Sequence, residues 1–227
     1  MKKLNGFGIH FLLIIIINFC LGIFVFLENP SEFNYLDGLL GNIEFSSFFD
    51  RTKFFIPIML LLLTTSDYIS YYIGASGSIY ITRYSTRGQF LLAILKDLFF
   101  FVFKYWIMLI SIAFLLNILS HHNVLNLLTI DFVFSVISGY FLYCFIVSLQ
   151  VLLCILLNST NSFLIIASII IICSFIMNSY FRFVFLIPIA LGLNDLNTIS
   201  LIRLTVAISL TLLIIALINN KIGRLDL

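Results

Sequence analysis

The chain is a succession of long apolar runs separated by short polar interruptions. The runs cover about residues 9–27, 54–73, 91–119 (with 98 as an alternative start), 131–157, 162–177 and 199–218. About 20 apolar residues in a helix, at ~1.5 Å each, cross a hydrocarbon layer ~30 Å thick. Six such runs predict an all-α, polytopic membrane protein with six transmembrane helices. No internal repeat and no linker divides the chain, so residues 1–227 are read as one transmembrane domain.

The breaks between runs carry their own signals. Lys2 and Lys3 precede the first run, which is longer than a signal-peptide core and lacks a small-residue cleavage site, so it is read as an uncleaved span. Residues 28–53 hold Glu28, Glu32, Asp37, Glu44 and Asp50 among scattered aromatic and leucine residues, a pattern suited either to short interfacial helices on the outer leaflet or to a loop packed over the helix ends. Pro57 is placed in the first turn of the second span, where proline is tolerated. Asp131 is expected to N-cap the fourth span, and residues 158–161 form a polar turn before the fifth. The apolar stretch 183–192 has only about ten residues and contains Pro188 and Gly192. It is too short to cross the bilayer, so a re-entrant outer segment between spans five and six is predicted.

Composition narrows the class. Apolar residues make up 62% and charged residues 10% of the chain, against ~25% charged in soluble domains, so the lipid bilayer is its solvent. The net charge of +2 gives no reason to expect a nucleic-acid partner. Cys20, Cys144, Cys154 and Cys173 all lie in apolar runs and read as inert small hydrophobes. The histidines are His10, His121 and His122; the adjacent pair diverges by ~100° on a helix, so no metal site is expected.

Charge also sets orientation. Lys2, Lys3, Arg83, Arg87, Lys96, Lys221 and Arg224 fall on one side of the spans, against Arg51, Lys53 and Arg182 on the other. The richer side is cytoplasmic by the positive-inside rule, which places both termini there. The one long interruption that is both polar and basic is 74–90. Within it a short helix over 79–87 is expected, capped by Ser78 and ended by Gly88. Arg83 and Arg87 would share a face of that helix near its C-terminus, where the helix dipole favours positive charge. Asp67 and Lys104 lie inside spans two and three at similar expected depths, and an intramembrane charge usually faces the bundle and finds a partner. They are therefore expected to pair; the alternative is that Lys104 snorkels alone to the headgroups and Asp67 is held by Ser66, Thr64 or backbone.

The chain lacks a Gly-x-x-x-x-Gly-Lys-Ser/Thr phosphate cradle, so any ATP would be bound elsewhere. With Ile79-Tyr80-Ile81-Thr82-Arg83-Tyr84-Ser85-Thr86-Arg87 between spans two and three and an apolar segment at 183–192, the layout resembles a small six-span permease subunit of ATP-binding cassette (ABC) exporters of the type-2 (type V) class. Similar permeases serve bacteriocin and antimicrobial-peptide export or immunity. The resemblance implies a short cytoplasmic coupling helix contacting a separate ABC ATPase subunit through Ile79, Tyr80, Arg83, Tyr84 and Arg87. It also implies ATP and Mg bound by that partner, a second permease copy or related permease, no enzyme activity in this chain, and a bacterial plasma-membrane location. The glutamate that such permeases often carry near the end of span two has no counterpart; Asp67 is the nearest acid.

Two other families share parts of this pattern. A substrate-binding membrane subunit of a vitamin importer also has six spans, but the basic inner helix and re-entrant outer segment favour the exporter. Gly74-Ala75-Ser76-Gly77 resembles the nucleophile motif of rhomboid intramembrane proteases. The later histidines lie one whole span from Ser76, ~30 Å away, and a serine with no base in reach is a poor nucleophile.

Overall fold

The computed structural model describes residues 13, 15–20, 22–24, 48–73, 84, 86–119, 130–175 and 199–222. Among them no strand occurs. We number the helices α1 (Ile15–Phe24), α2 (Phe48–Ile73), α3 (Arg87–Leu119), α4 (Ile130–Leu156), α5 (Ser159–Phe175) and α6 (Ile199–Ile222). Stretches of α2, α3 and α4 (Phe55–Ile73, Gly88–Leu116 and Val136–Leu156) are long and apolar enough to cross a membrane by length and composition; the apolar parts of α1, α5 and α6 are shorter. This is compatible with a membrane protein. The expected re-entrant stretch 183–192 and the outer segment 28–47 lie outside the described residues, as do the three histidines.

The helices alternate in direction. Tyr68 of α2 meets Asp97 of α3, and Tyr105 of α3 meets Pro57 of α2, so these two run antiparallel. Phe103 packs on Tyr140 and Trp106 bonds to Val136, so α3 and α4 are antiparallel as well. Only Leu157 and Asn158 separate α4 from α5. The start of α3 lies against the end of α6, where Gly88 approaches Asn219. Helices α2, α4 and α6 therefore run one way, and α3 and α5 the other.

Helix α4 is the hub and packs on α2, α3, α5 and, most extensively, α6. Helices in lipid gain nothing from burying apolar side chains against each other rather than against acyl chains, so close van der Waals packing and interhelical hydrogen bonds must hold them. The α4–α6 contact follows this rule. Ala207 and Thr211 of α6 are small, four residues apart and buried, and the Thr211 hydroxyl lies 2.7 Å from the Ala207 carbonyl and 3.4 Å from that of Phe141 on α4. The outward faces carry large apolar side chains, among them Phe100, Ile118 and Leu212, each more than half exposed. A bundle that buries Thr65, Gln150 and Ser148 completely while displaying Phe and Leu is suited to lipid rather than water.

Several expected boundaries shift. The second helix begins at Phe48, so Pro57 stands inside it and not in its first turn. Asp131 does not precede α4, which already starts at Ile130. The polar turn after α4 is shorter than 158–161. Asn158 alone caps α5, its Oδ1 accepting the Asn161 N–H at 2.8 Å, while the Ser162 N–H closes the first turn onto the Asn158 carbonyl at 2.9 Å.

Candidate functional site

The basic interruption between α2 and α3 is where the sequence places the working contact. Ile79, Tyr80 and Arg83 lie outside the described residues, as does the side chain of Arg87. What the structure shows is how the segment is joined to the bundle. Thr86 is the N-cap of α3: its hydroxyl accepts the Gln89 N–H at 3.3 Å, and its carbonyl accepts the Phe90 N–H, also at 3.3 Å. Thr86-Arg87-Gly88-Gln89 has the form of a capping box, which starts a helix.

This overturns the expectation that Gly88 ends a helix running to position 87. Arg87 opens α3 and Gly88 lies in its first turn. Position 87 therefore meets the positive end of a helix dipole, and the favourable dipole term expected for it at a helix C-terminus is absent. The helix it opens has 33 residues and is ~50 Å long. Tyr84, just before the cap, is half-buried and packs on Phe90 with ring centroids 5.5 Å apart. Part of its surface is thus committed to the bundle.

Above this junction lies a tyrosine cluster. The Tyr68 hydroxyl donates to Asp97 Oδ2 at 3.2 Å, and the rings of Tyr68 and Tyr72 pack at a tilt of 46° with centroids 4.6 Å apart. Tyr84 lies within electrostatic reach of Tyr68. Aromatic residues with a polar tip suit the boundary between acyl chains and water, so the cluster marks the basic end of the bundle.

Deeper between α2 and α4 is a polar node. The Gln150 amide nitrogen donates to the Leu62 carbonyl at 2.9 Å, and its Oε1 lies 2.6 Å from the Thr65 hydroxyl, which is also 2.8 Å from the Leu61 carbonyl. The amide orientation follows from chemistry, because the Leu62 carbonyl can only accept. Gln150 and Thr65 are completely buried. A second contact joins α4 to α5, where Cys154 Sγ and Ser162 Oγ lie 2.9 Å apart.

The expected Asp67–Lys104 pair is not made. Both side chains are exposed, and the Lys104 ammonium sits 4.4 Å from the centroid of the Phe100 ring, one turn earlier on its own helix. The reason is register. With Tyr68 opposite Asp97 and Pro57 opposite Tyr105, Lys104 lies about two turns, or roughly 10 Å, from the level of Asp67 along the bundle. Similar depth follows only if residues are counted from the ends of the apolar runs, whereas α3 begins at Arg87 and its register against α2 is set by the side-chain contacts.

Gln150, Tyr68, Asp97, Tyr105 and the Thr86 cap were not singled out from sequence. Two had readable signals: Gln150 is the single side-chain amide in α4, and Thr86-x-x-Gln89 is a capping-box pattern. Ser76 of the rhomboid-like motif lies outside the described residues. Comparison with protein-family models, curated proteins and solved structures finds no match to this chain.

Proposed function

We propose that the chain is the six-span membrane permease of an ABC exporter, with both termini in the cytoplasm and ATP and Mg held by a separate ATPase subunit. The 79–87 stretch, with Ile79, Tyr80, Arg83, Tyr84 and Arg87, receives the ATPase. The cargo is an amphipathic peptide or lipid-like molecule, as in bacteriocin export or immunity, and the permease works as a pair of copies in the bacterial plasma membrane.

The observation that carries this reading is the continuity at Thr86. A basic segment that ends in the cap of a 33-residue helix passes any displacement directly into that helix. Helix α3 in turn is tied to α2 through Tyr68–Asp97 and Tyr105–Pro57, and to α4 through Trp106–Val136. A push from below thus reaches both neighbours without crossing a flexible joint at position 86.

The test is co-purification. The wild-type chain is expected to bring down an ATPase subunit from its native membranes, and the Arg83→Glu/Arg87→Glu double variant to insert normally but lose it. Normal ATPase binding by the double variant would remove the coupling assignment. The six-span layout has its own check: in a cysteine-free background, Asn178→Cys and Asn197→Cys are both expected to react with an impermeant thiol reagent from outside.

A further inference from the structure

The failed Asp67–Lys104 pair leaves the question of what Asp67 faces. It is exposed on α2, and no ion pair joins it to Lys96 or Lys104 among the described residues. A carboxylate turned outward on a membrane helix is costly unless it meets protein, water or a headgroup.

The register identifies its counterpart by level. Tyr68 touches Asp97, and because the helices are antiparallel Asp67 lies one residue above that contact and Lys96 one residue below it, so their levels differ by only ~3 Å. They also lie on the same side. One residue back on a helix is a rotation of about 100°. Because α2 and α3 run in opposite directions, stepping back on both rotates the side chains in opposite senses when viewed along the bundle. Two side chains that start by pointing at each other therefore end by pointing the same way. Asp67 and Lys96 flank the Tyr68–Asp97 contact on one face, about one interhelical spacing (~9 Å) apart. The exposure pattern agrees with this geometry. Leu63, Tyr71, Phe100 and Ile107 share that face by the same rotation and are all exposed, whereas Leu62 and Thr65 rotate to the opposite side and are buried on α4.

We infer that the α2–α3 face carrying Asp67 and Lys96 is the docking surface for a second copy of this chain. A two-fold axis along the membrane normal leaves depth unchanged, so a residue can meet across it only what lies within side-chain reach of its own level. Asp67 and Lys96 satisfy that condition, and Lys104 does not. Opposite charges side by side on one face are self-complementary under a two-fold rotation: Asp67 of each copy meets Lys96 of the other, and both ion pairs form at once. The apolar side chains around them then pack against their symmetry mates. The inference names the second copy's contact face within the permease reading, but it needs only the membrane setting and not the ATPase.

The experiment uses two full-length copies with different tags, each lacking the four native cysteines, one carrying Asp67→Cys and the other Lys96→Cys. Mild oxidation in membranes is expected to give a disulfide-linked species bearing both tags. Pairs with cysteine at Leu164 or Leu212, on the exposed faces of α5 and α6, are expected to give none. Linkage only through α5 or α6, or no doubly tagged species at all, overturns the inference. A second arm keeps the native cysteines and measures dimer affinity by native mass spectrometry from detergent. Asp67→Lys places two lysines together twice and is expected to weaken the dimer about tenfold or more, with Lys96→Asp in the same chain restoring it. An unchanged dimer in Asp67→Lys overturns the assignment. A chain that stays monomeric yet retains its ATPase would refute this face and leave the coupling reading standing; a cross-linked dimer that binds no ATPase would do the reverse.

Discussion

Gly139 of α4 is the seat of Trp106 of α3. A β-carbon at position 139 would fall inside van der Waals contact with the indole, at 2.6 Å from Cη2 and closer still to Cζ2. One turn away, the indole N–H donates to the Val136 carbonyl at 3.0 Å. The ring is thereby fixed at one edge and packed against a residue without a side chain, with the Tyr143 ring tilted at 45° beside it, centroids 4.9 Å apart. This is the small-residue helix contact that lipid favours, with a rigid aromatic in place of a second small residue.

Adding one methyl group here should therefore act as overpacking. Gly139→Ala is expected to destabilise the detergent-solubilised protein by about 1–3 kcal/mol, read as a fall in thermal unfolding midpoint. Trp106→Phe removes the ring atoms that clash, so in that background Gly139→Ala should cost much less. Equal costs in both backgrounds would show that the indole is not what the methyl group meets.

The Gln150 node makes a different kind of prediction. Gln150→Leu leaves the Thr65 hydroxyl its bond to the Leu61 carbonyl, whereas Thr65→Val leaves the buried Gln150 Oε1 without its donor. Gln150→Leu is expected to cost about 1 kcal/mol and Thr65→Val more, with a coupling of about 0.6–1.7 kcal/mol in the double-variant cycle. Additive losses would mean that the two side chains stabilise α2 and α4 separately.

The cap at Thr86 can be tested locally. Thr86→Ala should cost about 1 kcal/mol in the first turn of α3 and speed hydrogen exchange at residues 88–91, with little change near Val102 deep in the same helix. Thr86→Ser should retain the protection. If exchange at the helix start is the same in all three proteins, the hydroxyl does not hold the cap.

The parts of this architecture legible in the sequence are those written as long runs of one character. Lipid-length apolar stretches place α2, α3 and α4, and Asn158 with its polar neighbours marks the α4–α5 turn. What the sequence hides is register. Two helices can slide past each other by a turn without changing either one's hydropathy, so counting residues from loop ends sets Asp67 opposite Lys104, whereas the contacts set it within ~3 Å of the level of Lys96. Apolar patterning is equally weak at helix starts. Phe48–Ile56 reads as an interfacial loop followed by a span, yet it is the beginning of α2, because a proline with suitable neighbours is tolerated inside a packed membrane helix. Gln150 stayed hidden because one amide among 27 apolar-rich positions barely moves a hydropathy average, although its cost in lipid makes it informative.

That internal proline leads to the last prediction. Pro57 has no N–H, so the carbonyl four residues earlier loses its helical donor and the helix tends to bend there. At the same point the Tyr105 hydroxyl, completely buried, donates to the Pro57 carbonyl at 2.7 Å. The bond joins α2 to α3 well away from the Tyr68–Asp97 contact, so together they fix both the spacing and the tilt of the pair. Tyr105→Phe removes only the hydroxyl and leaves the ring in its packing, and it is expected to cost about 1 kcal/mol. Pro57→Ala restores a backbone donor but lets α2 straighten. If the bend is what brings the carbonyl to Tyr105, Pro57→Ala loses that same bond. Its effect in the Tyr105→Phe background should then be neutral or stabilising, while in the wild-type background it is destabilising. The measurement is the double-variant cycle on unfolding midpoints in one detergent. Strictly additive effects would mean that Tyr105 finds its acceptor whether or not α2 is bent, and that the proline sits at this position for a reason unconnected with α3.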